Sequence, residues 1–184
     1  MVSERQAKIK AHAYVVMDIL KEEQFKKFAE IGVWKSHFVK RTLRNMSDSL
    51  EEYWAVDPWG IMTTGTGTRT ELRRTVEDWD NYHKYCCGLM TYFSQLKVLR
   101  MTSENAASIF PNGYFDMVFI DAIHTFDHMY ADIGYWLPKV RKGGLIGGHD
   151  YGHKAYTGVK EAVDKWFDGD IEVWKRGLVW MKRI

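Results

Sequence analysis

The sequence predicts an α/β fold, a doubly wound and mostly parallel sheet with helices on both faces. Three observations predict it. Short apolar runs, long enough for strands buried on both faces, alternate with runs of 3.6-residue periodicity. Two of the apolar runs, Phe115 to His124 and Gly143 to Tyr151, end abruptly in ionisable residues, as strands do when they deliver side chains to the carboxyl edge of an open sheet. The chain then closes on a strand, a glycine turn and a second strand, a hairpin that makes the last pairing antiparallel and brings the strand count to seven.

Each element has its own reason. Residues ~5 to 26 read as a helix with Tyr14, Val15, Ile19 and Leu20 on one side. Lys27 to Val33 is a first buried strand running into a turn, and a helix follows from Ser36 to Asn45. Tyr53 to Pro58 is the second strand, closed by a proline that has no N–H to continue a ladder. Residues 60 to 70 have no periodicity and read as a mobile loop. Val76 to Phe93 is helical, Val98 to Met101 is the third strand, and Ser103 is the expected N-cap of a short helix over Glu104 to Phe110. The fourth strand spans Phe115 to Ala122. The helix after it, Phe126 to Val140, repeats Phe126, Met129, Tyr130, Ile133, Trp136, Leu137 and Val140 at helical spacing. Leu145 to His149 is the fifth strand and Gly158 to Phe167 another amphipathic helix. Ile171 to Trp174 and Leu178 to Met181 form the hairpin about Gly177.

The whole, residues 1–184, is expected to be one domain. Residues 1–26 form its N-terminal helix and residues 60–92 its lid or substrate segment, with Trp59, Trp79, Tyr82 and Tyr85 as apolar walls. A hydrophobic fraction of 46% with eight Trp, ten Tyr and nine Phe excludes a disordered chain. Net charge is +2 with both signs interspersed, and no zinc spacing or aromatic-glycine RNA motif accompanies the basic clusters, so nucleic acid is not an expected partner. Cys86 and Cys87, adjacent and the only two cysteines, suit a reducing compartment. With no apolar signal core and no run of membrane-spanning length, a soluble cytoplasmic protein without a membrane partner is expected.

Four places carry candidate chemistry. Glu30-Ile31-Gly32 sits at the first strand-to-helix turn, where a glycine lets the backbone approach a ligand and a helix N-terminus favours an anion. Asp57 ends the second strand, where an acid commonly accepts hydrogen bonds from a ribose. Asp121 and Asp150 are hard oxygen ligands at the ends of neighbouring strands, suited to Mg²⁺ or another divalent cation. His124, Asp127, His128, His149 and His153 surround them. His124 and His128 stand one helical turn apart, but the helix should begin near Phe126, which leaves His124 in the strand-end loop and His128 as a solvated helix residue. Asp116, at the entrance of the fourth strand, reads as structural.

These residues in this order resemble class I S-adenosylmethionine-dependent methyltransferases, Rossmann-like in fold. The closest likeness is to the small branch of methyltransferase family 24 type, whose late strands read Phe-Ile-Asp-x-x-His and Gly-Gly-His-Asp-Tyr. That branch is akin to macrolide-sugar O-methyltransferases and, more distantly, to the metal-dependent catechol type. The resemblance runs from about Lys27 to Met181. It implies that Glu30 and Gly32 border the methionine part of S-adenosyl-L-methionine, that Asp57 holds the ribose hydroxyls, and that Ser103 and Ala122 lie near the adenine. It implies that Asp121, beside that cofactor, joins Asp150 as a metal ligand. His124 then falls where catechol-type enzymes keep a general base, with His149 in reserve. Two departures stand out: Ser36 replaces the family's second glycine, and Tyr151 replaces a third metal ligand.

The implied chemistry is methyl transfer to a hydroxyl oxygen of a small molecule or sugar. A divalent ion on Asp121 and Asp150 would acidify the hydroxyl, and His124, with an unperturbed pKa near ~6.5, would take its proton. Two rivals remain open from the residues: a non-catalytic S-adenosylmethionine-binding module, and a metal-dependent hydrolase using the His/Asp cluster. The acceptor and the oligomeric state, a homo-oligomer included, are not written in the chain.

Overall fold

In the computed structural model of the chain, the described residues are 4–60, 74–175 and 178–184. They run α1 (Glu4–Glu22), β1 (Lys27–Ile31), α2 (His37–Met46), β2 (Glu52–Asp57), α3 (Val76–Leu89), β3 (Leu96–Arg100), α4 (Ser103–Ile109), β4 (Phe115–Ile120), α5 (Phe126–Trp136), β5 (Val140–Gly148), α6 (Thr157–Phe167), β6 (Glu172–Trp174) and β7 (Val179–Arg183). One seven-stranded sheet takes the order β3-β2-β1-β4-β5-β7-β6. The first five strands in that order pair in parallel, and β7 pairs antiparallel with both β5 and β6. The chain winds outward from β1 to β3 and then returns to β4, so β1 and β4 flank the switch point where open α/β sheets bind ligands.

The period-2 side-chain alternation of the strands divides the core in two. Phe28, Tyr53, Met117, Phe119 and Leu145 face Val16, Leu20, Val39, Leu43 and Leu89 of α1, α2 and α3. Ala29, Ile31, Val118, Ile120 and Ile146 face Ala106, Met129, Ile133, Trp136 and Val159 of α4, α5 and α6. Strands buried on both faces are why these segments read as continuous apolar runs.

Several element boundaries moved by a few residues, and three of the shifts have a plain cause. The short helix is capped by Thr102, whose hydroxyl accepts from the Asn105 amide, so Ser103 is its first residue and not its N-cap. The helix expected to reach Val140 ends at Trp136 and passes into a 3-10 turn over Leu137–Lys139, because Pro138 brings no N–H to a continuing helix. β5 begins at Val140, five residues earlier than its apolar run, with a register shift opposite Phe115 and Met117. Arg141, Lys142 and the two glycines after them carry no strand signal, and the pairing with β4 supplies the order. The expected loop over residues 60 to 70, apart from Gly60, and the expected turn at Gly177 lie outside the described residues.

Candidate active site

A cavity of about 940 Å³ opens at the carboxyl ends of β1, β2 and β4. Glu30, Gly32, Asp57, Ser103, Asp121, Ala122, His124 and His149 all line it, and Asp150 stands behind His124 and His149. The residues expected to hold the cofactor, the metal and the proton are therefore drawn to one place, whereas Asp127 is exposed outside this lining and His153 lines a separate cleft with Lys160 and Asp164.

Gly32 holds φ +90°, and a Cβ there would lie 2.3 Å from the Asp121 carbonyl oxygen. The glycine lets the end of β1 lie directly on the end of β4. Its freedom serves chain against chain, which the expectation of a close approach to ligand did not include. Asp57 braces the same corner: one carboxylate oxygen accepts from the amides of Val33 and Trp34 at 2.9 and 2.8 Å, the other from Trp59 at 2.6 Å. Glu30 is buried beneath the cavity and accepts from the Tyr53 hydroxyl. Burial pushes the Glu30 carboxyl well above its ordinary range, with the Tyr53 bond working against it.

Asp121, His124, His149 and Asp150 form a closed four-membered cluster. His124 Nε2 stands 3.3 Å from Asp121 Oδ1 and 3.0 Å from Asp150 Oδ2, and His149 Nδ1 stands 3.4 and 3.3 Å from the same two oxygens. Burial opposes charge on all four groups, but opposite charges outweigh it. The carboxyls are held well below their usual range and the imidazoles rise to about 9 for His124 and about 10 for His149. The ordinary imidazole value expected for His124 is thus corrected: two facing carboxylates stabilise its proton. Asp150 reaches the cluster from a left-handed turn, φ +61°, a conformation that Asp tolerates.

Asp121, His124 and Asp150 also present donor atoms within 4.8 Å of one another, a metal-capable group among the described residues. Tyr151 does not join it, since its hydroxyl donates to Asp164 of α6 at 2.7 Å. His124 precedes the Thr125 cap of α5, and the His128 ring bonds that Thr125 at 2.7 Å, so His124 and His128 are not a helical pair.

Of the expected apolar walls, Trp79 lines the cavity. Trp59 is fully buried with its indole N–H on the Trp34 carbonyl, and Tyr85 lies outside, its hydroxyl accepting from Lys40. Three kinds of lining residue were not anticipated. His12 of α1 packs its ring 4.4 Å from that of His149. Asp132 of α5 is buried beside Ser103, whose hydroxyl accepts from Trp136 at 2.9 Å. Lys35, His37 and Arg41 line the mouth near α2. The signal for the first two was a polar residue on an apolar helical stripe, His12 four before Val16 and Asp132 between Met129 and Trp136.

The family profile described as "Methyltransferase domain" matches residues 29–151, which hold both the strand-end motifs and the cluster. This chain belongs to that methyltransferase family. Solved methyltransferases share its fold. NovP, an O-methyltransferase, aligns over 93% of this chain and 77% of its own at 18% identity, with a TM-score of 0.63. CalS11, a TDP-rhamnose 3'-O-methyltransferase of calicheamicin biosynthesis, aligns over 99% and 81% at 13% identity, TM-score 0.62. An O-methyltransferase from Bacillus cereus, solved with S-adenosylhomocysteine (SAH), aligns over 98% and 81% at 12% identity, TM-score 0.55. No curated protein matches the sequence. The chain is a Rossmann-like, S-adenosylmethionine-dependent methyltransferase, and among its described residues no helix is long and apolar enough to cross a membrane.

Proposed function

We propose that this methyltransferase moves the methyl group of S-adenosyl-L-methionine to a hydroxyl oxygen of a small molecule or sugar, assisted by a divalent cation such as Mg²⁺. One observation carries the reading: Asp121, His124 and Asp150 converge at the same cavity as Glu30, Gly32, Asp57, Ser103 and Ala122. Two hard carboxylates are fitting donors for such an ion, and the proximity of His124 to both supports it as a third ligand in place of Tyr151, one that suits Fe²⁺ or Zn²⁺ better than Mg²⁺. The cavity suits the cofactor through a buried acid at Glu30, a corner closed by Asp57, and Ser103 and Ala122 in its lining.

When bound, the cofactor supplies an electrophilic methyl group on its sulfonium, and the ion supplies Lewis acidity toward an acceptor oxygen. The chain's own work is alignment and exclusion of water. Asp121 and Asp150 hold the negative charge that an ion would need; a divalent ion held there would replace the histidine protons that now balance that charge, and would leave His149, beside both and lining the cavity, as the neutral imidazole to receive the acceptor's proton. A vicinal diol or catechol-like acceptor fits two chelating oxygens best. Residues 60–92 remain the proposed lid, with Trp79 as the apolar wall already at the cavity. The free thiols of Cys86 and Cys87 support a reducing, cytoplasmic setting.

Calorimetric titration with SAH, in Mg²⁺ and then in chelator, tests the cofactor; transfer of labelled methyl to a panel of diols and catechols tests the metal. Micromolar SAH binding in both conditions is expected, with transfer lost in chelator and in Asp121→Asn. Absence of SAH binding overturns the reading, and undiminished transfer in excess chelator removes the ion from it.

A further inference from the structure

Beside His124 the cavity wall is a stack of rings. Tyr156, which lines the cavity, lies face to face with His124 at 4.5 Å between ring centroids and 23° between planes, and with His153 at 4.7 Å and 24°. His153 is tied in turn to its own loop, its Nδ1 accepting from the Ala155 amide at 3.2 Å. Two successive turns carry the chain from Asp150 to Tyr156: the His153 amide donates to the Asp150 carbonyl and the Tyr156 amide to the His153 carbonyl, at 3.0 and 3.1 Å. One short loop therefore supplies both a carboxylate of the cluster and the ring that backs its histidine.

Tyr156 stands at the N-cap of α6, where Ser, Thr, Asp or Asn would satisfy a free amide, and its side chain makes no cap bond. The helix start gains nothing from a tyrosine there. What brings it to His124 is Gly158: a Cβ at that position would lie 2.4 Å from the Phe126 nitrogen and 2.9 Å from the Thr125 carbonyl carbon, so the first turn of α6 presses on the residues that follow His124. His124 needs such a support. Its Nδ1 is buried without a hydrogen-bond partner, whereas a metal-ligating histidine ordinarily keeps its ring oriented by a bond from the nitrogen that does not ligate. Both carboxylate contacts, to Asp121 and Asp150, fall on Nε2, the nitrogen that ligation would use. Once Nε2 has exchanged its proton for an ion, the Tyr156 face is, among the described residues, the ring contact left to orient His124.

We propose that Tyr156 is the positioning residue that commits His124 to the metal site, and that through it the site selects an ion such as Fe²⁺, Co²⁺ or Zn²⁺ over Mg²⁺. This rests on the metal-assisted reading above and goes beyond it by naming what makes His124 a ligand. Imidazole nitrogen favours the later transition ions, whereas Mg²⁺ takes oxygen donors and keeps several of its waters. Asp121 and Asp150 alone suit Mg²⁺; an oriented imidazole beside them shifts the preference. Loss of the stack therefore costs the transition ion its third ligand and leaves the carboxylate share of binding in place.

Co²⁺ is titrated into the protein by visible absorbance and Mg²⁺ by calorimetry, for the wild type, Tyr156→Phe, Tyr156→Leu, His124→Ala and the double variant His124→Ala/Tyr156→Leu, with thermal melts to verify folding. Tyr156→Phe keeps the ring and should hold Co²⁺ within about threefold, while Tyr156→Leu should weaken it about tenfold or more, the loss typical of an outer-shell partner. Mg²⁺ affinity should stay within about threefold in both, since its oxygen ligands are untouched. In the His124→Ala background the Leu substitution should change Co²⁺ affinity by less than about twofold, because Tyr156 acts through that ring. Unchanged Co²⁺ binding in Tyr156→Leu overturns the proposal, as does a wild type that prefers Mg²⁺, or a loss that Mg²⁺ shares equally or that persists without His124. A wild type that binds neither ion removes the metal from the proposed function and this role with it, whereas SAH binding would still stand. Should Tyr156→Leu fail to fold, proton resonances of the wild type decide. The His124 ring signals, assigned by their absence in His124→Ala, should be shifted upfield by the Tyr156 ring, and ordinary imidazole positions overturn the stack.

Discussion

Asp132 shows how one residue's burial sets a property of the whole chain. It lies in the apolar stripe of α5, and burial, only partly offset by Ser103, raises its carboxyl to about 6. The folded state therefore keeps this proton after the unfolded chain has released it near pH ~4. The stabilisation is complete below about pH 4 and fades as pH rises through 6, a difference of about 3 kcal/mol. Asp132→Asn should be more stable than the wild type at about pH 8 and little different at about pH 4, as urea midpoints at the two pH values would show. Ser36 is a second case. It is buried at φ +58°, a left-handed position that costs a side-chain-bearing residue about 1 kcal/mol, so glycine is the family's usual residue there for a backbone reason. Ser36→Gly should stabilise the fold by about 0.5 kcal/mol at most, once the added chain entropy is subtracted from that penalty. A thermal melt that falls instead would show that the hydroxyl has a role. The acids and histidines at strand ends were legible in the sequence because they break apolar runs. Their protonation was not, because it depends on which side chains face them across the sheet.

Among elements, the contact that builds the site is the one between the ends of β1 and β4. Asp121 N donates to Ile31 O at 2.8 Å, and Gly32 N donates to Val56 O at 2.9 Å, so three strand ends are tied together just where the cavity opens. Gly32→Ala sets a Cβ 2.3 Å from the Asp121 carbonyl oxygen, and at φ +90° it has no relaxed alternative. About 3 kcal/mol or more of stability should go, and Asp121 should move, so SAH affinity should fall along with the urea midpoint. Unchanged stability would mean that the corner opens at little cost. The alternation of strands with helices, and with it a mostly parallel sheet, was legible; the order of the strands across the sheet was not. Nor was the early start of β5, since Val140 to Gly144 gains its order from β4 and not from its own residue types.

At the scale of the molecule, a few polar clamps join segments far apart in the chain. Asp116 accepts from the amides of Lys26 and Lys27, both at 2.8 Å, and from Arg141 Nε at 2.6 Å. It thereby fastens the α1-to-β1 turn to β4 and β5. Burial would raise its carboxyl, but the Lys27 amide, Arg141 and the Lys26 amide outweigh it and hold it below its ordinary value. Its contribution is present above about pH 4 and lost as pH falls through the folded value, opposite in direction to Asp132. Asp116→Asn should lower the stability at neutral pH, read from urea unfolding, by about 1–3 kcal/mol, with the gap to the wild type closing in acid. A constant gap across that range would show that the loss is of shape and not of charge.

The sequence by itself determined the fold class, the count of the strands and their succession along the chain, and the carboxyl edge at which the chemistry gathers. Those follow from local signals: apolar runs, helical periodicity, and polar residues that interrupt both. Only the tertiary structure decided that His12 from the far N-terminal helix reaches His149, that Tyr151 turns away to Asp164 while His124 turns in, and that Gly32 serves a strand-to-strand contact. Such facts depend on residues distant in sequence meeting in space, and neither periodicity nor spacing carries that information.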